Sequence, residues 1–292
     1  MNILLLALIP ACFALNPVIG RAMADSFQPA TLSLVRWVLS ALVIALVAAL
    51  LRGERWRAPP GHLLRVAVLG ALGMGFCAYA AFIASHTTAA TNVSLIYSCA
   101  SALVAAWEIA AGRQRLTGAL LLGIAICLGG AVVILTRGHP EVLRTMTFTP
   151  GDLWAAAGMS VFVLYTVLMR RTPSLLTPMP QFSVMAAGAS IVLLPVVAVE
   201  VMRVGVPAVD ASTWPWIAAL VLGSGIGAFL GYNTSLKRNG PVLTSASLTL
   251  TPVFAAGMAT VLIGEQLAWY HAVAVAMVVT GLGLINRDQT GA

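Results

Sequence analysis

The sequence predicts an all-α membrane protein of ten transmembrane helices, arranged as two inverted five-helix repeats with both termini cytoplasmic. Three observations carry that prediction. First, 60% of the 292 residues are hydrophobic and only 9% are charged, a balance that water-soluble domains of this length do not show. Second, charges, prolines and glycines divide the chain into ten apolar runs, each near the roughly 20 residues that cross a hydrocarbon core. Third, the chain repeats itself: Gly73-Met74-Gly75 recurs as Gly225-Ile226-Gly227 and Gly112-Arg113-Gln114 as Gly264-Glu265-Gln266, both 152 residues on, and Gly130 and Gly281 continue the match. An odd number of crossings per repeat sets the second repeat upside down. Inverted repeats are a recurrent way for secondary transporters to build a midplane site that opens to either side in turn.

The runs follow in order. Span 1, about 2 to 23, has no basic residue before Arg21, so the charged leader of a signal peptide is missing and the helix is expected to be retained. It contains Pro10 and Pro17, the latter preceded by Asn16. Span 2, about 30 to 51, carries Arg36. Spans 3 and 4, about 63 to 85 and 89 to 111, share a stretch from 66 to 107 with no Asp, Glu, Lys or Arg. Its 42 residues suffice for two helices, with Ser85-His86-Thr87-Thr88 as the turn. Span 5, about 116 to 136, closes the first repeat, 1 to 137, and an external linker, 138 to 150, leads to the second repeat, 151 to 292. Spans 6 to 10 are placed at about 152 to 170, 179 to 201, 213 to 236, 241 to 263 and 267 to 286. Pro195 interrupts span 7 and Pro252 span 9.

Orientation follows from the basic residues, which are retained on the cytoplasmic side. The loops after even-numbered spans, with the C-terminus, hold 11 of the 16 Lys and Arg residues, Arg52, Arg113, Arg170 and Lys237 among them. The net charge of +7 is scattered over span ends and not gathered on an aromatic-rich surface, so no nucleic-acid partner is expected. Cys12, Cys77, Cys99 and Cys127 each sit inside an apolar run without metal-ligand spacing. No cofactor and no metal are expected. The expected partners are membrane lipid and a small-molecule solute.

Candidate substrate contacts are polar or aromatic groups at membrane depth. Ser94, Tyr97, Ser98 and Ser101 share one helical face of span 4, and span 9 opens with Thr244, Ser245 and Ser247. Small hydroxyl residues also serve helix contacts. In span 3, Gly75, Tyr79, Phe82 and His86 share a face, as do Trp154, Gly158, Phe162 and Tyr165 in span 6. Aromatic stripes often pack in cores, and tryptophans near span ends often anchor at the interface. Asn16 and the Tyr232-Asn233 pair are further polar groups at depth. The substrate-binding set is therefore Asn16, Tyr79, Ser94, Tyr97, Ser98, Ser101, Trp154, Phe162, Tyr165, Asn233 and Thr244.

A structural or gating role is assigned to Gly73, Gly75, Gly225 and Gly227, as close contacts on which helices rock, and to Pro252 and Arg36. Arg36 lies about 10 Å inside span 2, seven residues at 1.5 Å from Pro29. Attraction of a carboxylate, snorkelling, and pairing with helix-end carbonyls are all open to it. No Asp or Glu falls near a midplane, so an intramembrane carboxylate proton relay lacks its residue.

The chain resembles the EamA branch of the drug/metabolite transporter superfamily over essentially its whole length. The resemblance is carried by the five-plus-five repeat, by Pro29-Ala30-Thr31-Leu32-Ser33-Leu34-Val35-Arg36-Trp37, and by Ala246-Ser247-Leu248-Thr249-Leu250-Thr251-Pro252-Val253-Phe254 leading to Gly264-Glu265-Gln266-Leu267. The halves differ, with Arg113 where the second has Glu265 and no proline in span 4 matching Pro252. Within the branch the chain looks most like bacterial amino-acid exporters of the YddG type. The resemblance implies export from the cytoplasm, across the inner membrane, through a central cavity between the halves by alternating access. Phosphorylated solutes would need several cationic groups, and Arg36 alone is available, which favours zwitterions such as amino acids, aromatic ones included. Exporters of drugs or other metabolites in the same superfamily form the alternative. A membrane-embedded enzyme would need a nucleophile with a base or a metal cluster, but His62, His86, His139 and His271 are isolated in the sequence.

Overall fold

A computed structural model describes every residue except 1–2, 24–25, 52, 88–95, 145–148, 208, 264–267 and 291–292. Helix accounts for 84% of the described residues and no strand occurs among them, as expected of a backbone that must satisfy its own polar groups in lipid. Thirteen α-helical segments are described. They are α1 Ile3–Ala22, α2 Pro29–Leu50, α3 Pro60–Gly70, α4 Cys77–Thr87, α5 Ala100–Ala110, α6 Gly118–Leu135, α7 Pro150–Arg171, α8 Pro178–Val204, α9 Trp214–Ala219, α10 Ala228–Asn239, α11 Pro241–Ser247, α12 Thr251–Ile263 and α13 Trp269–Thr290.

Local sequence sets many of these bounds. Helices α2, α3, α7, α8 and α11 begin on Pro29, Pro60, Pro150, Pro178 and Pro241, where the missing N–H is one of the unpaired donors of any first turn. Ahead of α7 the Thr149 N–H donates to the Asp152 carboxylate at 2.7 Å, half of a capping box. Between α10 and α11 the chain reverses at a single residue, Gly240, whose φ of +79° favours glycine.

Two π-helical segments join helices at repeat-related places. Ala71–Phe76 links α3 to α4, and Leu220–Gly227 links α9 to α10. Each contains one of the paired glycine motifs. Such widened turns are rare and are frequently found at functional sites. Pro252 acts differently from a simple kink. A proline interior to a helix clashes with the carbonyl four residues back, and span 9 accommodates it by a local change of winding: α11 passes into a 3₁₀ turn, Leu248–Leu250, and α12 follows with Pro252 in its first turn. Pro195, in contrast, lies inside the unbroken 27-residue α8.

Six stretches are long and apolar enough to cross a membrane: Pro29–Leu50, Pro60–Ala81, Pro150–Arg171, Pro178–Val204, Trp214–Asn239 and Trp269–Arg287. Four shorter apolar helices accompany them, Leu4–Gly20, Ile96–Ala110, Gly118–Val133 and Pro241–Ala255. The protein is therefore a multi-pass membrane protein.

Packing runs mainly between the two halves of the chain, in exchanged pairs. Helix α4 packs on α7 while α10 packs on α1; the first π segment packs on α8 while the second packs on α2. Two further pairs, α2 with α8 and α6 with α13, join corresponding spans directly. Glycine permits the closest approaches: a Cβ on Gly70 would meet the Met185 backbone, and one on Gly188 would meet the Ala67 backbone. Gly123 and Gly281 stand in the same relation between α6 and α13.

Candidate functional site

One cluster between the halves is built of aromatic rings and neutral polar groups. Tyr165 on α7 donates its hydroxyl to the Asn233 side-chain oxygen on α10 at 2.5 Å. The Asn233 amide donates in turn to Met185 Sδ at 3.7 Å, and Thr166 and Tyr232 share a hydroxyl bond of 2.8 Å. Tyr165 and Tyr232 stack with centroids 6.5 Å apart, and Phe162 lies 5.9 and 5.4 Å from them. A further chain of rings runs across the halves, from Tyr232 to Phe13 at 6.1 Å, Phe13 to Phe229 at 5.1 Å, and Phe229 to Trp37 at 5.2 Å. Phe162, Tyr165 and Asn233, expected on separate grounds, thus come together.

A second group sits where α4 meets α7. The Tyr97 hydroxyl donates to the Cys77 carbonyl at 3.1 Å, and the Cys77 thiol to the Gly158 carbonyl at 3.3 Å. Gly158 leaves the room that the Tyr97 hydroxyl occupies. Tyr79 is half-buried and packs against the main core.

Many hydroxyls are bonded locally. Ser101 donates to the Ser98 carbonyl at 3.3 Å, Ser247 to the Thr244 carbonyl at 2.8 Å and Thr249 to the Ala246 carbonyl at 2.7 Å. The Thr244 hydroxyl pairs with Ser235 at 2.8 Å, tying α11 to α10. Trp154 is 41% exposed near the start of α7. Ser94 lies outside the described residues, as do Gly264-Glu265-Gln266-Leu267.

Arg36 is buried, with 2% exposure, and points into the protein. Its Nη1 donates to Asn16 Oδ1 at 2.8 Å and to Ser224 Oγ at 3.4 Å, and its Cζ stands 4.2 Å over the Trp37 ring. Gly225 faces Ser40 and the Arg36 stem, Gly227 faces Cys12, Gly73 faces the Tyr165 ring, and Gly75 faces Val192 and Ala189. All four glycines therefore mark contacts between halves. Pro252 is half-buried at the start of α12.

The sequence reading passed over two carboxylates. Glu200, near the end of α8, accepts from the Ala30 and Thr31 N–H groups at 3.0 and 2.8 Å and from the Thr31 hydroxyl at 2.9 Å. At the opposite end of the same helix pair, the Thr177 hydroxyl donates to Glu54 and accepts from the Arg55 N–H. Ser224, Met185, Phe13 and Phe229 were also missed; only the glycines beside Ser224 marked its neighbourhood. Outside the spans, Glu141 pairs with His139 at 3.0 Å, and its own backbone N–H together with His139 holds its carboxyl below the usual range.

Helices that exchange partners between two halves, around an interior of polar and aromatic groups that includes the buried Arg36, define a multi-pass membrane transporter of the two-repeat class. The chain belongs to the EamA-like transporter family, within the drug/metabolite transporter superfamily; the family model matches residues 1–136 and again 149–287. It is 25% identical over 228 residues to the uncharacterized transporter YyaM of Bacillus subtilis strain 168, covering 78% of this chain and 74% of that protein. A solved crystal structure aligns with a TM-score of 0.74 at 22% identity, over 97% of this chain and 95% of its own, and shares the fold.

Proposed function

We propose that the protein exports small zwitterionic metabolites, amino acids including aromatic ones, from the cytoplasm across the bacterial inner membrane. Ten spans form two inverted repeats, 1–137 and 151–292, joined by an external linker, with both termini cytoplasmic. The solute enters between the halves, the inner ends close, and the outer ends part.

The observation that carries this reading is the Tyr165–Asn233 cluster with Phe162, Tyr232 and Met185. Its polar groups are neutral donors and acceptors, which suits a solute without net charge. Its rings suit an apolar or aromatic side chain. Such a wall discriminates weakly, because one methylene is worth only ~1 to 3 kcal/mol in an apolar pocket. Counterflow of labelled amino acids into liposomes containing the purified protein tests it. Saturable flux of several amino acids without chemical change is expected. Absence of such flux, or one amino acid crossing a hundredfold better than its neighbours, overturns the reading.

A further inference from the structure

We propose that the turn of α2 bearing Ser33, Arg36 and Trp37 binds the carboxylate of the transported solute. The solute's identity rests on the amino-acid reading; the chemistry of the site does not.

Six buried side-chain N or O atoms lack a hydrogen-bond partner among the described residues, and four of them fall on this one turn: Ser33 Oγ, Arg36 Nε, Arg36 Nη2 and Trp37 Nε1. Positions 33, 36 and 37 share a helical face. Unpartnered buried donors are uncommon because each loses its hydration without replacement. Three of the four atoms here only donate, and the fourth is a hydroxyl. The group that satisfies them is an acceptor with several lone pairs.

The guanidinium geometry narrows the acceptor further. Nη1 is held by Asn16 and Ser224, which orient the plane. Nε and Nη2 form the opposite, side-on edge, whose two parallel N–H groups match the two oxygens of a carboxylate. No Asp or Glu pairs with Arg36 among the described residues. The Trp37 face offers cation–π attraction, yet it accepts neither N–H. A buried charge is stable when paired and hydrogen-bonded, and a solute carboxylate supplies both.

Position fits the same role. The rings from Trp37 through Phe229 and Phe13 to Tyr232 connect this turn to the Tyr165–Asn233 cluster. On its other side, Phe27, Leu32, Leu220 and Val221 belong to a separate apolar cluster at the α1–α2 end, outer in the proposed topology. The carboxylate site thus lies between the aromatic wall and the outer plug.

The test is thermal unfolding of the purified full-length protein with phenylalanine, 3-phenylpropionate, phenylalaninamide or phenethylamine at equal concentration. The two carboxylates are expected to raise the midpoint, while the amide and the amine leave it unchanged. Arg36→Lys, which keeps the charge but lacks the fork, is expected to weaken carboxylate binding about tenfold, and Trp37→Phe, which keeps a ring but lacks the N–H, about threefold. Equal effects of acid and amide overturn the site, as does stabilisation by phosphatidylglycerol to which no carboxylate adds. Amino-acid counterflow without carboxylate-dependent stabilisation overturns the site and leaves the exporter reading standing. Stabilisation by 3-phenylpropionate without amino-acid flux does the reverse.

Discussion

Glu200 caps the helix that begins beside Thr31: its carboxylate takes the Thr31 N–H at 2.8 Å and the Thr31 hydroxyl at 2.9 Å. The first turn of α2 has N–H groups without helical partners and a positive dipole end, and Gln28 at its cap position makes no side-chain cap bond. The cap comes instead from α8, in the other half of the chain. The start of α2 is thereby tied to α8 by a charge–dipole contact worth up to ~2 kcal/mol when partly buried. Glu200→Gln is expected to raise amide exchange at Ala30 to Ser33 several-fold in lipid nanodiscs. Unchanged exchange there would show that Glu200 does not hold this turn.

The opposite end is fastened independently, by the Thr177 hydroxyl with Glu54 and the Arg55 N–H. Thr177→Val keeps the shape and removes both bonds. Exchange at residues 53 to 57 is expected to rise while Ala30 to Ser33 stay protected, the reverse of the Glu200→Gln pattern. If both variants loosen both ends together, the two fastenings between α2 and α8 are not independent.

The Tyr165–Asn233 bond sits where no water is needed to complete it, with Tyr165 fully buried. Tyr165→Phe leaves the Asn233 oxygen without its donor, at a cost of about 1 to 3 kcal/mol. The thermal midpoint should fall, and it should fall less when Asn233→Leu is already present, because the orphaned acceptor is then gone. Additive losses in the double variant would show that the two side chains do not act as a pair.

These contacts show which parts of the molecule were legible in the sequence. Apolar runs and paired glycines are local patterns, so an all-helical membrane protein with close contacts at Gly73, Gly75, Gly225 and Gly227 could be read from them, but not that these contacts join the two halves. The clustering of Phe162, Tyr165 and Asn233 was approachable because buried hydroxyl and amide groups need partners. Their actual partners, Met185 and one another, lie up to 68 residues apart and leave no trace in spacing. The π segments were invisible because glycine pairs suit an α-helix as well. The hydroxyls of span 9 pointed toward a solute by composition, but Ser245, Ser247 and Thr249 are taken by carbonyls three residues back. Glu200 was hidden by its place near a span end, where carboxylates usually face water.

The reciprocal approach of α3 and α8 gives a steric prediction. At Gly70 and Gly188 an added Cβ runs into backbone of the other helix, which cannot swing aside as a side chain would. Gly188→Val should therefore separate α8 from α3 and cost at least the ~1 to 3 kcal/mol typical of overpacking. Gly257→Ala, where nothing lies within 4 Å, serves as the control and should leave the thermal midpoint close to wild type. Equal midpoints for the two variants would mean that the helices do not meet as closely as these positions require.

Asp210 makes the pH dependence of one loop calculable in sign. Ahead of α9 its Oδ1 accepts from the Thr213 hydroxyl at 2.6 Å, the Ser212 hydroxyl at 2.7 Å and the Thr213 N–H at 3.0 Å. The two hydroxyls, Thr213 before Ser212, hold its carboxyl below the usual aspartate range. A carboxylate whose pKa is lowered on folding binds fewer protons in the folded state, so its stabilisation is complete above the unfolded pKa of about 3.9. That stabilisation is lost as the pH falls through the lower, folded value. Protection of the Thr213 and Ile217 amides, corrected for intrinsic exchange, should therefore stay flat from neutral pH down to the ordinary carboxylate range and drop below it. In Asp210→Ala it should be low at every pH. A wild-type loss that begins near pH 6 would point to a histidine in place of Asp210 as the group that sets this turn.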